Sequence, residues 1–540
     1  MITIHTNGKD HMFPDGTTFE TAAAAIGAHA LGAAMGGRLY ALGEKLSASG
    51  EVEFLGIASE EGSRIYARSA SFLLVRAVRE LFPGARVVID HSIHNALYCR
   101  AEWERRLTPA DLHAVEDRMR EITARDEPFT PILMDAGEAR ALFERDGRTE
   151  VAALIPEGGE FTAHRSGGFA DAWYGPLAPS TGYVRQFRLQ SYIPGFVLII
   201  PHMYHPHGVP EFAEMPKLSA VYNESSAWER SVGAGTLADL NNLIRGGSAR
   251  ALVRMAEICH ERKLSAIAEI IVRERRRVIL VAGPSSSGKT TFAHRLTAHL
   301  NTYALQPVAL SLDDYYRDRR NIPKDVKLDL ESIEALDIPL FEEQITALLA
   351  GDAVKLAKFD FLTGKSFRSE AETRVRDGQP LIIEGINGLN DALTRFIPGN
   401  TKFRIFVSAL TQLNIDNHNR IATTDVRLLR RMVRDSLYRG HSAENTFKAW
   451  PAVHAAEFRN IFPYQENADA IFNSALVYEI AALKPHAMPM LEAIPQGSPA
   501  RLEAERLLGF LSLAEDLPCP DEIPPTSIVR EFIGGCTFYI

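Results

Sequence analysis

Near the middle of the chain the sequence reads Val278-Ile279-Leu280-Val281-Ala282-Gly283-Pro284-Ser285-Ser286-Ser287-Gly288-Lys289-Thr290-Thr291. Its apolar start predicts a buried β-strand, and the apolar spacing that continues to Leu296 predicts a helix. Between them, Gly-x-x-x-x-Gly-Lys-Thr lets backbone N–H groups and the helix N-terminus converge on phosphate oxygens. In such a loop Lys289 neutralises the terminal phosphates and the Thr290 hydroxyl ligates Mg²⁺. We therefore predict that residues 283–291 bind a nucleoside triphosphate together with Mg²⁺.

Composition limits what the rest of the chain can be. The 540 residues are too many for one hydrophobic core and predict roughly three or four domains. A net charge of −9 lacks the positive footprint of a nucleic-acid binder, so RNA binding is not expected. The four cysteines form no C-x-x-C pair, which favours a reducing compartment over a structural zinc site. Because neither a basic, apolar leader nor a long apolar run is found, we expect a cytoplasmic protein without a membrane span.

Acidic and basic motifs follow the loop at intervals. From about 276 to 480 strand-like and helix-like segments alternate, which predicts a parallel sheet wrapped by helices. One strand-like segment leads into Asp313 and Asp314, and another ends in Glu384, where ligands bind in such sheets. The next basic stretch has arginines at offsets of three, four and seven, so they share one helical face: Arg427, Arg430, Arg431 and Arg434. Since four neighbouring arginines repel one another, an anion such as a triphosphate is expected between them.

In this order, the motifs resemble the uridine kinase and phosphoribulokinase group of P-loop kinases. The run Ser311-Leu312-Asp313-Asp314-Tyr315-Tyr316 is similar to the Ser-x-Asp-x-(Phe/Tyr)-Tyr of that group. The resemblance implies ATP as phosphate donor, Asp313 as catalytic base and Glu384 near Mg²⁺, with Asp314 ranked second or as a turn residue. It also implies that Lys289, Arg431 and Arg434 are catalytic and that Arg439 contacts phosphate. Asp425 and Asp435 are then expected to orient the guanidinium groups. The implied acceptor pocket consists of Asp313, Tyr316, Glu331, Phe359 and Asp360.

The acceptor segment departs from this family's pattern. Uridine kinases have Pro-x-Tyr-Asp-Phe followed by a histidine, whereas this chain has Phe359 and Gly364 at the matching positions. Losing two polar groups that read the base weighs against uridine itself. We expect a kinase for the 5′-hydroxyl of a nucleoside. A kinase for a sugar phosphate or polyol stays open, as does a nucleotide-switched RNA-binding or translation-associated protein, although no Asn-Lys-x-Asp motif supports the latter.

The front of the chain resembles threonyl-tRNA synthetase. Residues 1–60, with Pro14-Asp15-Gly16-Thr17-Thr18, are similar to its ubiquitin-like TGS domain, and residues 61–225 to its second, α+β editing-type domain. The match rests on Tyr66 to Leu74 and on Leu107 to Leu112, where Thr108 caps a helix that begins with Pro109. Editing requires two histidines four apart, and Arg68 and Phe72 stand in their places. We therefore expect no editing activity.

The remaining segments carry weaker signals. Residues 226–275 are predicted to form a helical connection, and the tail 481–540 is predicted to dock against another domain, ending as a strand. His202, His205 and His207 could hold a metal, but a loop of partly exposed imidazoles is favoured. Kinases of this group are often oligomers, so the resemblance also implies a possible homo-oligomer.

Overall fold

The first region is a small sheet crossed by one helix. In the computed structural model, which describes residues 1–318, 331–360 and 363–538, Asn7 and Gly8 have positive φ of 49° and 73° and turn the first hairpin. The strand order is β2-β1-β5-β3-β4. The elements are β1 (Ile2–Thr6), β2 (Lys9–Phe13), α1 (Phe19–Ile26), β3 (Gly32–Met35), β4 (Arg38–Ala41) and β5 (Gly50–Leu55).

A long buried helix organises the second region. This helix, α2 (Glu60–Leu81), packs against α3 (Pro109–Ala124), which begins with the predicted Thr108 cap and with Pro109 in its first turn. Two antiparallel sheets have the orders β11-β12-β7-β6 and β10-β9-β8. The other elements are β6 (Arg86–Ile93), β7 (Ala96–Glu102), β8 (Thr130–Asp135), α4 (Ala136–Arg145), α5 (Thr149–Ala152), β9 (Glu160–Ser166), β10 (Phe169–Asp171), a 3₁₀ helix (Thr181–Tyr183), β11 (Arg188–Tyr192) and β12 (Gly195–Ile199).

Three helices lead to the second half of the chain. They are α6 (Pro216–Ser231), α7 (Leu237–Arg245) and α8 (Ala249–Arg273). The first begins at Pro216, earlier than the predicted start of the connection, because proline suits the first turn of a helix. The second begins at a Thr236 cap and ends at a glycine, Gly246.

The second half is built on a parallel sheet of order β14-β17-β13-β18-β19. The central strand, β13, is completely buried along its whole length, as its apolar sequence predicts. The elements are β13 (Val278–Ala282), α9 (Lys289–Asn301), β14 (Val308–Ser311), α10 (Ile338–Ala350), β15 (Ala357–Asp360), β16 (Lys365–Arg368), β17 (Leu381–Glu384), α11 (Asp391–Thr394), β18 (Lys402–Ser408), α12 (Thr423–Arg439), α13 (Ala443–Asn460), β19 (Ala470–Asn473) and α14 (Glu479–Glu492), with 3₁₀ helices at Leu312–Tyr315, Ile333–Ala335, Gly399–Thr401 and Phe462–Asn467. The predicted fold class, an α/β domain with a parallel sheet behind two smaller N-terminal units, is confirmed.

The tail docks on this domain, but its end is helical where we predicted a strand. It contains α15 (Arg501–Leu511), a 3₁₀ helix (Pro520–Glu522) and α16 (Arg530–Ile533). Ile528, Val529 and Phe532 are all fully buried, and a helical turn brings residues with this spacing to one side. In the described parts of the chain, every helix is too short or too polar to cross a bilayer.

Candidate active site

The glycine-rich loop between β13 and α9 is shaped for a phosphate group. A Cβ atom at Gly283 would lie 1.9 Å from the Val407 carbonyl oxygen, so only glycine fits there. Lys289 Nζ donates a 3.0 Å hydrogen bond across the loop to the Pro284 carbonyl. The hydroxyls of Ser286 and Ser287 are buried and have no hydrogen-bond partner among the described residues. Loop hydroxyls left without a partner are suited to phosphate oxygens.

Two carboxylates meet beside this loop. Ser311, at the end of β14, pairs in register with Glu384, at the end of β17. The Ser311 hydroxyl donates to Glu384 Oε1 at 2.9 Å and accepts from the Asp313 N–H at 3.3 Å. Asp313 lies in a 3₁₀ helix that begins directly after the strand. The hydroxyl bridge holds Asp313 close to Glu384.

Burial and mutual repulsion perturb both acids. The pKa of Glu384 is raised to about 7, chiefly by burial and then by the charge of Asp313. The pKa of Asp313 is also raised by burial and by Asp314, while Lys289 opposes the rise. A site that crowds negative charge and offers oxygen donors fits a hard divalent cation. Glu384 is thus suited to hold Mg²⁺, and Thr290 lies in the first turn of α9.

Three arginines of α12 face the same cleft. Arg431 Nη1 donates to the Ser285 hydroxyl of the loop at 3.0 Å. Asp435 forms ion pairs with Arg431, Arg434 and Arg439, at 3.3, 3.1 and 3.3 Å respectively. The positive charges of Arg434 and Arg439 also lower the pKa of Asp313, which places them within electrostatic reach of that acid. The structure therefore brings the predicted arginines together with the loop and the predicted base.

The other two arginines of the helix are buried among protein carboxylates. Arg427 pairs with Glu457, and Arg430 forms a two-contact pair with Glu479. The expectation that a triphosphate separates all four arginines is therefore wrong for these two, because glutamates supply the anions.

Asp425 also departs from expectation. Its carboxylate accepts two hydrogen bonds from Arg506, at 2.7 and 2.8 Å, and lies 3.7 Å from Arg64. Asp425 therefore joins the tail and α2 to α12, whereas we had expected it to orient the cleft arginines.

Sequence comparison gives the second half of the chain a family. Residues 278–481 match the model of the Phosphoribulokinase / Uridine kinase family. These residues form a kinase domain of that family. The phosphate-binding loop, Asp313, Glu384 and the arginines of α12 all lie inside the matched range.

The N-terminal region is similar to threonine–tRNA ligases. The ligase of Carboxydothermus hydrogenoformans is 32% identical over 190 residues, which cover 34% of this chain and 30% of the ligase. The ligase of Methylibium petroleiphilum is 34% identical over 192 residues, with the same two shares. The chain thus spans about a third of the length of these curated relatives.

Solved kinase structures also align with the chain. A putative fructose transport system kinase from Silicibacter sp. TM1040 is 21% identical, covers 39% of this chain and 98% of its own, and has a TM-score of 0.28. A possible uridine kinase from Bacillus stearothermophilus is 17% identical. The alignment covers 36% of this chain and 88% of that kinase, with a TM-score of 0.24.

The kinase domain uses residues that the sequence pattern did not single out. Glu457 Oε1 accepts a 2.8 Å hydrogen bond from the Ser285 N–H, so it supports the loop from behind. Glu531 of the tail accepts from the Thr291 hydroxyl at 2.6 Å. A Cβ at Gly288 would lie 2.6 Å from Ile528, so the tail also packs against the loop. The only sequence signal for these contacts was the apolar character of the tail.

Two of the predicted acceptor residues, Tyr316 and Phe359, are in direct contact. The rings of Tyr316 and Phe359 meet edge to face, with centroids 5.5 Å apart. Burial, with a smaller contribution from Glu457, raises the pKa of Glu331 to about 7. Asp360 accepts from the Thr363 hydroxyl at 2.7 Å, at the turn between β15 and β16. Asp314 pairs with Lys358 at 2.6 Å, in keeping with its alternative assignment as a turn residue.

Aromatic contacts surround both the histidine cluster and Phe72 in the N-terminal half. The rings of His202 and His205 meet edge to face with centroids 5.1 Å apart, and burial lowers the pKa of His202 to about 4. Phe72, at one editing position, is fully buried between Phe129 and Phe169. Among the residues that the structure describes, no group of three or more His, Cys, Asp or Glu could hold a metal ion.

Proposed function

We propose that this protein catalyses ATP- and Mg²⁺-dependent phosphoryl transfer to the hydroxyl of a small molecule, in the first place the 5′-hydroxyl of a nucleoside. The observation that carries the proposal is the Ser311 bridge, which holds Asp313 and Glu384 together beside the loop that presents Lys289. Family membership of residues 278–481 supports a kinase.

Each group has a role that its position supports. The loop backbone and Lys289 bind the β- and γ-phosphates, while Arg431 and Arg434 balance charge as the phosphoryl group moves. Asp313 orients the acceptor hydroxyl and takes its proton, for which the raised pKa keeps the carboxylate sufficiently basic. Thr290 and Glu384 would hold Mg²⁺, which would offset the charge of the phosphates when it is bound.

The acceptor assignment depends on the pocket around Tyr316 and Phe359. Their packed rings offer an apolar edge against which a nucleobase can lie. A sugar phosphate or polyol is the second candidate, because Phe359 carries no polar group with which to read a base.

An acceptor panel tests the proposal. Nucleosides, pentoses, sugar phosphates and polyols are each supplied with ATP and Mg²⁺, and ADP release is followed. We expect a nucleoside to stimulate release, and Asp313→Asn to abolish that stimulation, while the matched neighbour Asp314→Asn preserves it. No stimulation by any acceptor would refute the proposal. Retention on RNA at moderate salt, without stimulated turnover, would instead favour the translation-associated alternative.

A further inference from the structure

A large cavity lies between the N-terminal regions and the kinase domain. Its volume is about 1400 Å³, larger than the roughly 300–1,000 Å³ of most ligand pockets. Residues from α2, from the segment 173–176, from the start of α12 and from α15 of the tail all contribute to its wall. The cavity is separate from the glycine-rich loop, none of whose residues 283–291 lines it.

Several hydrogen-bonding groups on the cavity wall have no protein partner. Trp173 is 5% exposed, yet its indole Nε1–H has no acceptor among the described residues. Three other residues of the wall also have an atom without a hydrogen-bond partner among the described residues. These atoms are Arg68 Nη2, the Tyr174 hydroxyl oxygen and His202 Nε2. Buried polar groups are normally satisfied, and these are mostly donors. These residues therefore place unsatisfied donors directly beside the cavity.

The charge on the wall is also unbalanced. Several carboxylates neutralise two of its arginines: Arg64 pairs with Glu60, Glu61 and Glu503, and Arg506 pairs with Asp425 and Glu503. Arg68 and Arg420 have no carboxylate within 4.0 Å in the described residues. Burial lowers the pKa of Arg68 to about 10 and also lowers that of Arg420, as expected for buried guanidiniums with no carboxylate in direct contact. An anion would supply that charge.

Aromatic side chains form another part of the wall. Tyr204 stacks on Phe458 with ring centroids 4.3 Å apart, and Trp173 is stacked beside His418 at 6.2 Å. Flat rings next to unpaired arginines are suited to a ligand that combines an aromatic ring with a negative charge. We propose that this cavity is a second binding site, for a compound of the nucleoside monophosphate class, distinct from the phosphoryl-transfer cleft.

One helix connects the proposed site to the kinase cleft. The first turn of α12, including Thr423 and Asp425, lines the cavity, whereas Arg431 further along donates to Ser285 of the loop. Arg427 does both: it lines the cavity and donates to the Ser285 carbonyl at 2.9 Å. A ligand that shifts α12 therefore alters the loop, and by thermodynamic linkage nucleotide in the loop alters the cavity.

Calorimetric titration of the full chain tests binding, with the loop first saturated with β,γ-imido-ATP and Mg²⁺. The probes are uridine 5′-monophosphate, uridine and inorganic phosphate. We expect the monophosphate to bind at least about tenfold more tightly than either part alone, and Arg68→Gln to weaken it about tenfold. Trp173→Phe, which keeps the ring and removes the N–H, should weaken it several-fold.

The controls separate this site from the acceptor pocket and from misfolding. Asp313→Asn in the cleft and Arg245→Gln on the surface should leave the monophosphate affinity unchanged, and all variants should keep the wild-type melting temperature. Failure of all three probes to bind, or binding that survives both Arg68→Gln and Trp173→Phe, would overturn the proposal.

A second measurement addresses the connection through α12. Saturating uridine 5′-monophosphate should change the Kd of a fluorescent ATP analogue about fivefold or more in the wild type, and should not do so in Arg68→Gln. Equal affinities with and without the monophosphate would overturn the coupling. A change that persists in Arg68→Gln would do the same, because it would indicate competition in the loop.

Discussion

Two pairs of arginines on α12 have the same chemistry and opposite surroundings. Arg427 and Arg430 are 1% and 0% exposed and are held by Glu457 and Glu479. Arg431 and Arg434 are 16% and 17% exposed and share Asp435 at 3.3 and 3.1 Å. Asp435 also pairs with Arg439, and Glu531 lies 3.9 Å from Arg434, so two carboxylates face three guanidiniums and positive charge is left over at the cleft.

This difference separates structural arginines from those available to a ligand. A buried ion pair contributes little net stability, but removing one partner leaves a charge in a dry interior. A guanidinium at the edge of a cleft can bind phosphate without such a cost. Substitutions should therefore affect stability in the first pair and turnover in the second.

The largest effect on turnover is expected from Asp313, the predicted base near Arg431 and Arg434. Asp313→Asn should lower turnover about 10²–10⁴-fold, equivalent to about 3–5 kcal/mol, because general-base catalysis is lost. The melting temperature should not fall, since the change removes a carboxylate whose ionisation burial disfavours. ADP release with the identified acceptor measures the rate. Full turnover in the variant would show that another group accepts the proton.

The buried pair should respond through folding. Arg430→Met leaves Glu479 uncompensated and should cost about 3–5 kcal/mol of unfolding free energy. Urea denaturation followed by tryptophan fluorescence measures the loss. The matched double variant, Arg430→Met with Glu479→Leu, should recover most of it, because no unpaired charge remains. Equal losses in the single and double variants would contradict the proposed structural role.

The cleft pair should respond through catalysis. Arg434→Ala should lower kcat/KM about 10–100-fold, or about 1.4–2.7 kcal/mol, with an unchanged melting temperature. Arg434→Lys should restore part of the loss, since it keeps the charge without the planar fork. Steady-state kinetics with varied ATP provide the measurement. A loss of stability as large as that of Arg430→Met would erase the distinction between the two pairs.

The pH dependence of the unfolding free energy should reflect the raised pKa values of Glu384 and Asp313. Glu384 has a pKa of about 7 when folded, against 4.5 ordinarily, so the folded state binds the proton more tightly than the unfolded state. The free energy of unfolding should therefore fall as pH rises from about 4.5 to 7, and Asp313 acts in the same direction. Glu384→Gln should reduce this slope to the contribution of the other buried acids, and should stabilise the ligand-free protein by about 1–3 kcal/mol near pH 8.

Melting curves of wild type and Glu384→Gln between about pH 5 and 8 test the sign. The two proteins should melt alike at the acidic end, where Glu384 is already neutral. A wild type that gains stability relative to the variant as pH rises would show that Glu384 is stabilised as the anion.

The smallest effect is expected at the end of the helix. Arg439 is 54% exposed, and its 3.3 Å pair with Asp435 is screened by water. Arg439→Ala should change kcat/KM less than about threefold and stability by less than about 1 kcal/mol. The same kinetic and melting assays apply. A tenfold loss of kcat/KM would place Arg439 with the cleft pair.

Local sequence patterns predicted the parts of the fold and site that depend on near neighbours. The apolar run before Gly283 predicted the buried central strand, and the spacing of the α12 arginines predicted one helical face. The Thr108 cap was equally visible, because its partner Asp111 is three residues away. Each of these features depends only on residues close to one another in the sequence.

Features that depend on distant partners were missed. Nothing near Arg427 or Arg430 indicates Glu457 or Glu479, which follow 30 and 49 residues later. The contact between Thr291 and Glu531 spans 240 residues and joins the loop to the tail. The 3₁₀ helix that carries Asp313 was not predicted either. It begins at Ser311, whose hydroxyl accepts a hydrogen bond from the Asp313 N–H.

The close approach of Ile528 to Gly288 has a practical side. Because Ile528 and Glu531 of the tail contact the glycine-rich loop, a kinase domain that ends at residue 480 would lose these contacts. Biochemists preparing this protein should place affinity tags at the N-terminus. Proteolytic loss of residues 528–540 during purification would then be a first suspect for an inactive sample.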